Sequence, residues 1–411
     1  MVVDPTDITT LATTIGPRPP GSAYERRAAG YVIERLQQLG VPATLLPVHV
    51  PRGFALVFVT IFAIAAVSVP LARLSEPLGL VLSLAALILA ALEGTGRAVI
   101  SGLAVTRNSH NVLGLIGPRP GADPEAPERL RRVVLTAHLD TGRSGLLSQQ
   151  PLVAWLRPLA LAVAAALVLI PLLQAVALAT RSPLPWSLSL LPLVVLLGAI
   201  GLLLERELRG DPVAGANDNA SGIATLLGVA RALRRDPPRH VEVWLLCTAG
   251  AEAGMAGMRQ FLSENRFDLD RTSFIVLDSV GAGRLRFSRG DGLLRLRRSS
   301  PTLLRIAGEI AREHPAWGLR PQARRLPATD QSVALALGYQ AIGLFAAAED
   351  GLIPNWHQPS DTPERLDLRT VGQAADVVLA MIRRLDDAAR DAPPFPRVGT
   401  RPGARRRAAP R

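Results

Sequence analysis

The chain alternates between long uncharged apolar runs and segments in which apolar and polar residues repeat with a regular period. The uncharged runs cover residues 53–72, 77–92, 158–180 and 182–204. A helix needs about 20 apolar residues to cross a bilayer, so three runs are long enough and 77–92 is marginal. Each pair of runs is joined by a short turn. We therefore predict two membrane hairpins, although buried core helices have the same composition.

Outside these runs, the pattern is that of an α/β domain. Short apolar runs predict strands at 43–50, 110–116, 133–139, 241–247, 274–278 and 341–346. Pro47 places the first of them at an edge of the sheet. From residue 216 onward, the strands alternate with segments of helical spacing, the last between Leu368 and Leu385, which favours parallel pairing. We predict a mixed, largely parallel sheet flanked by helices, with four inserted transmembrane helices.

These patterns divide the chain into one interrupted domain, two hairpins and a tail. The domain is predicted in three parts, 1–50, 98–150 and 210–391, and the hairpins at 51–97 and 151–209. Residues 392–411 contain arginine, proline, glycine and alanine with little to bury. We predict a disordered tail that either lies on anionic lipid or is simply solvated.

Composition and charge narrow the functional class. The formal net charge is +12, but no nucleic-acid-binding motif accompanies it, and membrane flanks and the tail account for the excess. The single cysteine, Cys247, excludes an internal disulfide. A transporter is disfavoured because the apolar runs contain no ionisable residue, and only Arg157 stands at an edge.

Candidate chemistry follows the predicted strands. His138 and Asp140 end one strand, Glu252 lies beyond another, and Asp278 ends a third. Asp218 stands in the glycine-flanked loop 215–222 before a helix, and His357 in the loop after the last strand. Open α/β sheets gather functional residues at strand ends. Taken singly, each residue is more simply a cap, a turn residue or a core histidine; only their combination indicates a site.

That combination resembles the M28 family of zinc-dependent peptidases. The matching segments are His138-Leu139-Asp140, Gly215-Ala216-Asn217-Asp218-Asn219-Ala220-Ser221-Gly222, Glu252 to Gly257, Asp278, and His357 to Pro363. The resemblance implies a zinc-exopeptidase-like fold. It implies an enzyme that binds two zinc ions and removes residues from the N-terminus of peptides. It also implies that Asp218 bridges the ions, that His138 and Asp278 complete one site, and that Glu252 and His357 complete the other. Asp140 would orient His138.

One position departs from the family pattern. The family has two adjacent glutamates, a general base followed by a metal ligand, whereas here Ala251 precedes Glu252. Because general acid–base catalysis contributes typically 10²–10⁴-fold, losing the base would cripple hydrolysis without removing the metal site. Glu349 and Asp350, near the His357 loop, are the candidate acids to replace it. Two hypotheses remain: a metallopeptidase, or a metal-binding pseudopeptidase or scaffold.

Two further predictions concern the membrane. Arginines lie mainly on the domain side of the apolar runs, at Arg52, Arg97, Arg107, Arg143, Arg157, Arg206 and Arg209, whereas the turns have only Arg73 and Arg181. The positive-inside rule then predicts a cytoplasmic domain. We also expect the strand at 110–116 to pair antiparallel with both 43–50 and 133–139. Both hairpins then leave from the sheet edge that holds His138, so we expect the metal site to face the membrane. This tethering either favours membrane-associated peptides or only anchors the domain.

Overall fold

The computed structural model describes residues 3–95, 99–119 and 130–390. The predicted tail at 392–411 and Arg97 lie outside the described residues. The helices, in chain order, are α1 Pro5–Thr9, α2 Ala23–Gln38, α3 Phe54–Leu71, α4 Glu76–Gly94, α5 Leu152–Thr180, α6 Pro183–Leu188, α7 Leu190–Arg209, α8 Gly222–Arg235, α9 Ala256–Glu264, α10 Pro301–Glu313, α11 Asp330–Ala336 and α12 Leu368–Arg390. The strands are β1 Ala43–Pro51, β2 Thr106–Ile116, β3 Arg131–His138, β4 Val241–Thr248, β5 Thr272–Leu277, β6 Arg284–Asp291, β7 Arg297–Arg298, β8 Arg320–Arg324 and β9 Gln340–Ala347.

The strands form one mixed sheet in the order β1-β2-β4-β3-β5-β9-β6-β7, and β8 pairs with β6. The central strands β4, β3, β5 and β9 are parallel, while β1 and β2 run antiparallel at one side. β1 is an edge strand, in agreement with Pro47. The predicted mixed, largely parallel sheet flanked by helices is therefore confirmed.

The predicted pairing of the second strand with the third is wrong. β4 is inserted between them, so β2 pairs antiparallel with β4, and β4 pairs parallel with β3. Because β1 is also antiparallel to β2, β1 and β3 still point the same way. One apolar insertion follows β1 and the other follows β3. Both therefore leave the sheet on the side where the carboxyl ends of these strands lie.

Helices cover both faces of the sheet. The larger core lies under α2, α8, α10 and α12, where helical apolar positions meet the inward side chains of the strands. The smaller core, under α9 and α11, includes Phe261, Phe267 and Trp244, whose rings pack edge to face or tilted. These two cores fix the central strands, and with them the loops at their carboxyl ends.

Four apolar helical segments form a separate bundle. The structure has candidate spans at Phe54–Leu71, Glu76–Gly94, Leu152–Thr180 and Pro183–Arg209, each long and apolar enough to cross a membrane. Only 17–39% of the most apolar window of each span is buried, which does not fit helices of a soluble core. Around the bundle, α3 packs against α4 and α7, and α5 packs against the same two helices. Inside it, the Gln174 amide donates to the Ser68 carbonyl and accepts from the Ser83 hydroxyl, so these polar groups are satisfied.

Candidate metal centre

The parallel strands end at one edge of the sheet, and the predicted site residues follow them there. His138 is the last residue of β3, and Asp278 directly follows β5. Glu252 lies in the turn after β4, and His357 lies in the loop after β9. Asp218 comes from the loop before α8. The structure thus brings together all five residues predicted to be metal ligands.

The five side chains form two groups that share Asp218. The ligand atoms of His138, Asp218 and Asp278 lie within 4.8 Å of one another, and so do those of Asp218, Glu252 and His357. Oδ1 of Asp218 is 3.1 Å from Nε2 of His138, and Oδ2 is 3.2 Å from Nε2 of His357. Nε2 of His357 is also 2.9 Å from Oε1 of Glu252. Each oxygen of Asp218 therefore faces a different group, as a bridging carboxylate requires.

The donor set fits zinc. Imidazole nitrogen and carboxylate oxygen are ordinary zinc ligands. Oδ2 of Asp218 is buried and, among the described residues, has no hydrogen-bond donor, although Nε2 of His357 lies 3.2 Å away. A buried carboxylate oxygen without a donor is costly, and a cation between Asp218, Glu252 and His357 would remove that cost.

Backbone contacts hold the Asp218 loop in place. The carboxylate of Asp361 accepts hydrogen bonds from the backbone N–H groups of Asn217 and Asp218, at 2.7 and 3.1 Å. The side-chain amide of Asn219 donates to the carbonyl of Leu277 at 2.8 Å. The loop is thus tied both to the end of β5 and to the loop that contains His357. Asp361 belongs to the motif segment from His357 to Pro363, and no role was predicted for it.

Asp140 contacts two parts of the site. Its carboxylate accepts hydrogen bonds from the N–H groups of Ala251 and Glu252, at 3.0 and 2.8 Å. Nδ1 of His138 lies 3.0 Å from the backbone carbonyl oxygen of Asp140 but 3.6 Å from its Oδ1. Asp140 therefore orients His138 mainly through its carbonyl, and its carboxylate fixes the turn that presents Glu252.

Left-handed backbone conformations occur at three non-glycine positions of this site. Ser279, which follows Asp278, has φ 57°, His357 has φ 53°, and Met255 in the turn after Glu252 has φ 57°. Such conformations cost about 1–3 kcal/mol each and persist where the surrounding contacts fix them, often at functional sites. Here they aim the side chains that follow β4, β5 and β9 toward one point.

Electrostatics hold the central carboxylate ionised. Burial disfavours the charge of Asp218, but His138 and His357 outweigh it and hold the pKa of Asp218 well below its usual range. Burial likewise disfavours the charged form of His357, yet Glu252 and Asp218 raise its pKa to about 9. At Asp278, burial dominates and raises the pKa despite the nearby guanidinium of Arg324.

Two arginines that were not predicted to belong to the site contact it. The Arg324 guanidinium lies 3.4 Å from Oδ2 of Asp278 and 3.2 Å from Oδ1 of Asp291. The Arg206 guanidinium lies 3.5 Å from Oε2 of Glu252. Arg206 belongs to the last turn of α7, so the apolar bundle touches the candidate metal centre directly.

The site opens into a cavity of about 2050 Å³ that His138, Asp218 and Glu252 help to line. Ala251, at the position of the expected base, lines the same cavity. Asp330 is another acid on its wall: Oδ2 accepts from the Thr248 hydroxyl at 2.7 Å, while Oδ1 is buried without a described partner. Burial raises the pKa of Asp330 to about 6.

The two acids considered in place of the base differ from Asp330. Glu349 is exposed and pairs with Arg284 at 3.4 Å. Asp350 is exposed too, and its carboxylate accepts from the backbone N–H of Leu352. Neither lines the cavity into which the candidate metal centre opens.

The mixed sheet and its strand-end cluster define a zinc-exopeptidase-like fold. The structure is similar to that of a zinc aminopeptidase from Bacillus subtilis, with a TM-score of 0.56, 14% identity and 93% of each chain covered. It is also similar to a glutaminyl cyclase from Porphyromonas gingivalis, with a TM-score of 0.54 and 14% identity over 93% of this chain and 99% of that chain. A Zn-dependent exopeptidase from Parabacteroides distasonis matches with a TM-score of 0.51 and 15% identity, over 93% and 98% of the two chains.

A family model matches part of the sequence. Residues 201–382 match the model of Peptidase family M28, which confirms the resemblance predicted from the motifs. The matched segment contains Asp218, Glu252, Asp278 and His357, whereas His138 and Asp140 precede it. No curated protein matches the chain at the sequence level.

Proposed function

We propose that this protein is a membrane-anchored di-zinc metallopeptidase that releases N-terminal residues from peptides. The observation that carries the proposal is the pair of ligand groups that share Asp218. One zinc ion would be held by His138, Asp218 and Asp278, and the other by Asp218, Glu252 and His357. Zinc at such a site supplies Lewis-acid polarisation of a carbonyl and activation of water.

The remaining residues of the site have positioning roles. Asp361 holds the loop of Asp218, and Asp140 holds the turn of Glu252. Buried imidazoles and carboxylates that are fixed in this way keep the geometry that a reacting amide needs. The opening of the site into a cavity gives that amide room to bind.

The identity of the general base separates an enzyme from a pseudopeptidase. Ala251 cannot accept a proton, which favours a metal-binding scaffold as the second candidate function. Asp330 favours an enzyme, because it lines the same cavity and its buried Oδ1 has no described partner. If Asp330 is the base, Asp330→Asn will abolish most turnover and leave the zinc content unchanged.

Membrane anchoring rests on the four apolar segments and on their exposure. Arginines on the domain side of the bundle favour a cytoplasmic domain by the positive-inside rule. The contact between Arg206 of α7 and Glu252 supports a position of the metal centre near the bilayer surface. This arrangement favours substrate peptides that are associated with the membrane. We expect no nucleic-acid partner.

The proposal is tested by zinc analysis together with aminopeptidase turnover on the purified full chain. We expect up to two zinc ions per chain and release of a free N-terminal amino acid. Product identification also distinguishes hydrolysis from the cyclisation that the name of the Porphyromonas gingivalis relative implies. A chain that holds zinc but shows no turnover, in the wild type and in Asp330→Asn alike, would favour the scaffold.

A further inference from the structure

The cavity at the candidate metal centre continues into the apolar bundle. At one end, its wall includes His138, Asp218 and Glu252. At the other end, apolar side chains of all four long helices line it, among them Phe58 of α3, Leu87 of α4, Val163 of α5 and Leu202 of α7. One continuous space therefore joins a polar reaction site to an apolar interior.

The depth of the apolar part is comparable to one leaflet of a bilayer. On α5, the lining residues run from Leu156 to Val168, and on α7 from Val194 to Glu207. At 1.5 Å per residue, these stretches span about 18 and about 20 Å. The hydrocarbon core of a bilayer is about 30 Å thick, so these lengths are enough to reach its middle from one surface.

An alkyl chain is the occupant that this wall suits. An extended peptide would bury its backbone N–H and C=O groups against side chains that offer no hydrogen bonds, which is costly. A helical peptide satisfies its own backbone but is about 10 Å wide. In the bundle, α3 and α5 each pack against both α4 and α7, so a helix of that width between them would have to separate helices that are in contact. An alkyl chain has no polar groups and a much smaller cross-section.

We propose that the substrate is an amphiphilic amide whose alkyl chain lies in the bundle while its amide lies at the metal centre. This inference rests on the proposed function for the reaction and adds the class of substrate. Hydrolysis of the amide consumes one water and breaks the C–N bond. The water oxygen goes to the carbonyl carbon and a proton goes to the nitrogen, which gives a carboxylic acid and an amine.

Two glycines of α7 provide a matched pair of variants. A Cβ added at Gly198 or at Gly201 meets nothing within 4 Å, so both positions accept a larger side chain. Gly198 lines the cavity and Gly201 does not. Gly198→Leu therefore fills the cavity, and Gly201→Leu makes the same change elsewhere on the helix. Ala160→Phe, with Ala165→Phe as its control, provides a second pair on α5.

The activity assay compares leucine dodecylamide with leucine ethylamide, using the full chain in bilayer discs. We expect the wild type to prefer the dodecylamide in kcat/KM by at least about tenfold, since burial of about two methylene groups already has that effect. Gly198→Leu and Ala160→Phe should remove the preference and leave ethylamide turnover unchanged. Gly201→Leu and Ala165→Phe should keep it. Equal preference in all five proteins would overturn the inference, and absence of turnover of both amides would count against the proposed function instead.

A binding assay tests the position of the alkyl chain without requiring turnover. A leucine alkylamide with a terminal diazirine should photolabel α5 and α7 at cavity residues in the wild type and in Gly201→Leu, but not in Gly198→Leu. Labelling confined to the outer surface of the bundle, or displaced by a transmembrane helical peptide and not by dodecylamide, would overturn it. So would equal labelling by a diazirine phospholipid, because the cavity would then hold ordinary lipid.

Discussion

Gly142 offers a direct test of the position of His357. A Cβ built at Gly142 would lie 2.5 Å from both Cδ2 and Nε2 of the His357 ring. Ordinary van der Waals contacts begin near 3.4 Å, so Gly142→Ala would force the imidazole away by about 0.9 Å. That displacement acts on the nitrogen that lies 2.9 Å from Glu252 and 3.2 Å from Asp218.

The expected losses of zinc and of turnover are large for the addition of one methyl group. A misplacement of about 1 Å at a reacting centre can cost on the order of 10²-fold in rate. We therefore expect Gly142→Ala to lose the zinc ion held by Asp218, Glu252 and His357 and to lower turnover about 100-fold. The other ion, at His138 and Asp278, should remain. Zinc content by elemental analysis and steady-state kinetics on the same preparation measure both effects.

Two helical glycines serve as controls for the glycine-to-alanine change itself. A Cβ at Gly308 of α10 or at Gly372 of α12 meets nothing within 4 Å. Alanine there should leave zinc and turnover unchanged and stabilise the protein by up to about 1 kcal/mol. If Gly142→Ala also keeps two zinc ions and wild-type turnover, His357 does not occupy the position described here.

Three further predictions address the general base, the loop that holds Asp218, and the orientation of the domain relative to the membrane. Ala251→Glu should raise turnover by about 10²–10⁴-fold if the general base is missing; wild-type activity at an ordinary enzyme rate, with no gain in the variant, would assign the base elsewhere. Asp361→Ala leaves two buried N–H groups without an acceptor and should destabilise the fold by about 2–6 kcal/mol in chemical denaturation, whereas Asp361→Asn keeps one acceptor oxygen and should lose less. A reporter fused after Arg411 should be active in the cytoplasm; activity only on the other side of the membrane would refute the proposed orientation.

Local patterns predicted most of the fold. The strands that lead to His138, Asp278 and His357 are apolar runs of ordinary strand length. The apolar helices are long enough to be recognised without any tertiary information. Parallel strands gather their carboxyl ends, so the sequence also indicated that these residues would meet. The motif around Asp218 indicated the resemblance to family M28, and residues 201–382 match the model of that family.

Contacts between distant segments were not predictable in the same way. β4 pairs with β2 and separates it from β3, although more than 100 residues lie between β2 and β4 in the chain. Asp361 reaches the loop of Asn217 across 144 residues, and Arg206 reaches Glu252 across 46. The spacing of apolar residues along the sequence does not predict such contacts, because they arise from the packing of whole helices and strands. They nevertheless decide how the metal centre is held and how the membrane helices meet it.

The most direct test of the account is the zinc content of the wild type beside that of Asp218→Ala. Asp218 is the one residue shared by both ligand groups, so its loss should affect both metal positions at once. The exposed Asp270→Ala is the control for removal of a carboxylate. The account predicts up to two zinc ions in the wild type and in Asp270→Ala, and few or none in Asp218→Ala. A wild type purified without chelator that contains no zinc and takes up none, or an Asp218→Ala variant that keeps both ions, would contradict it.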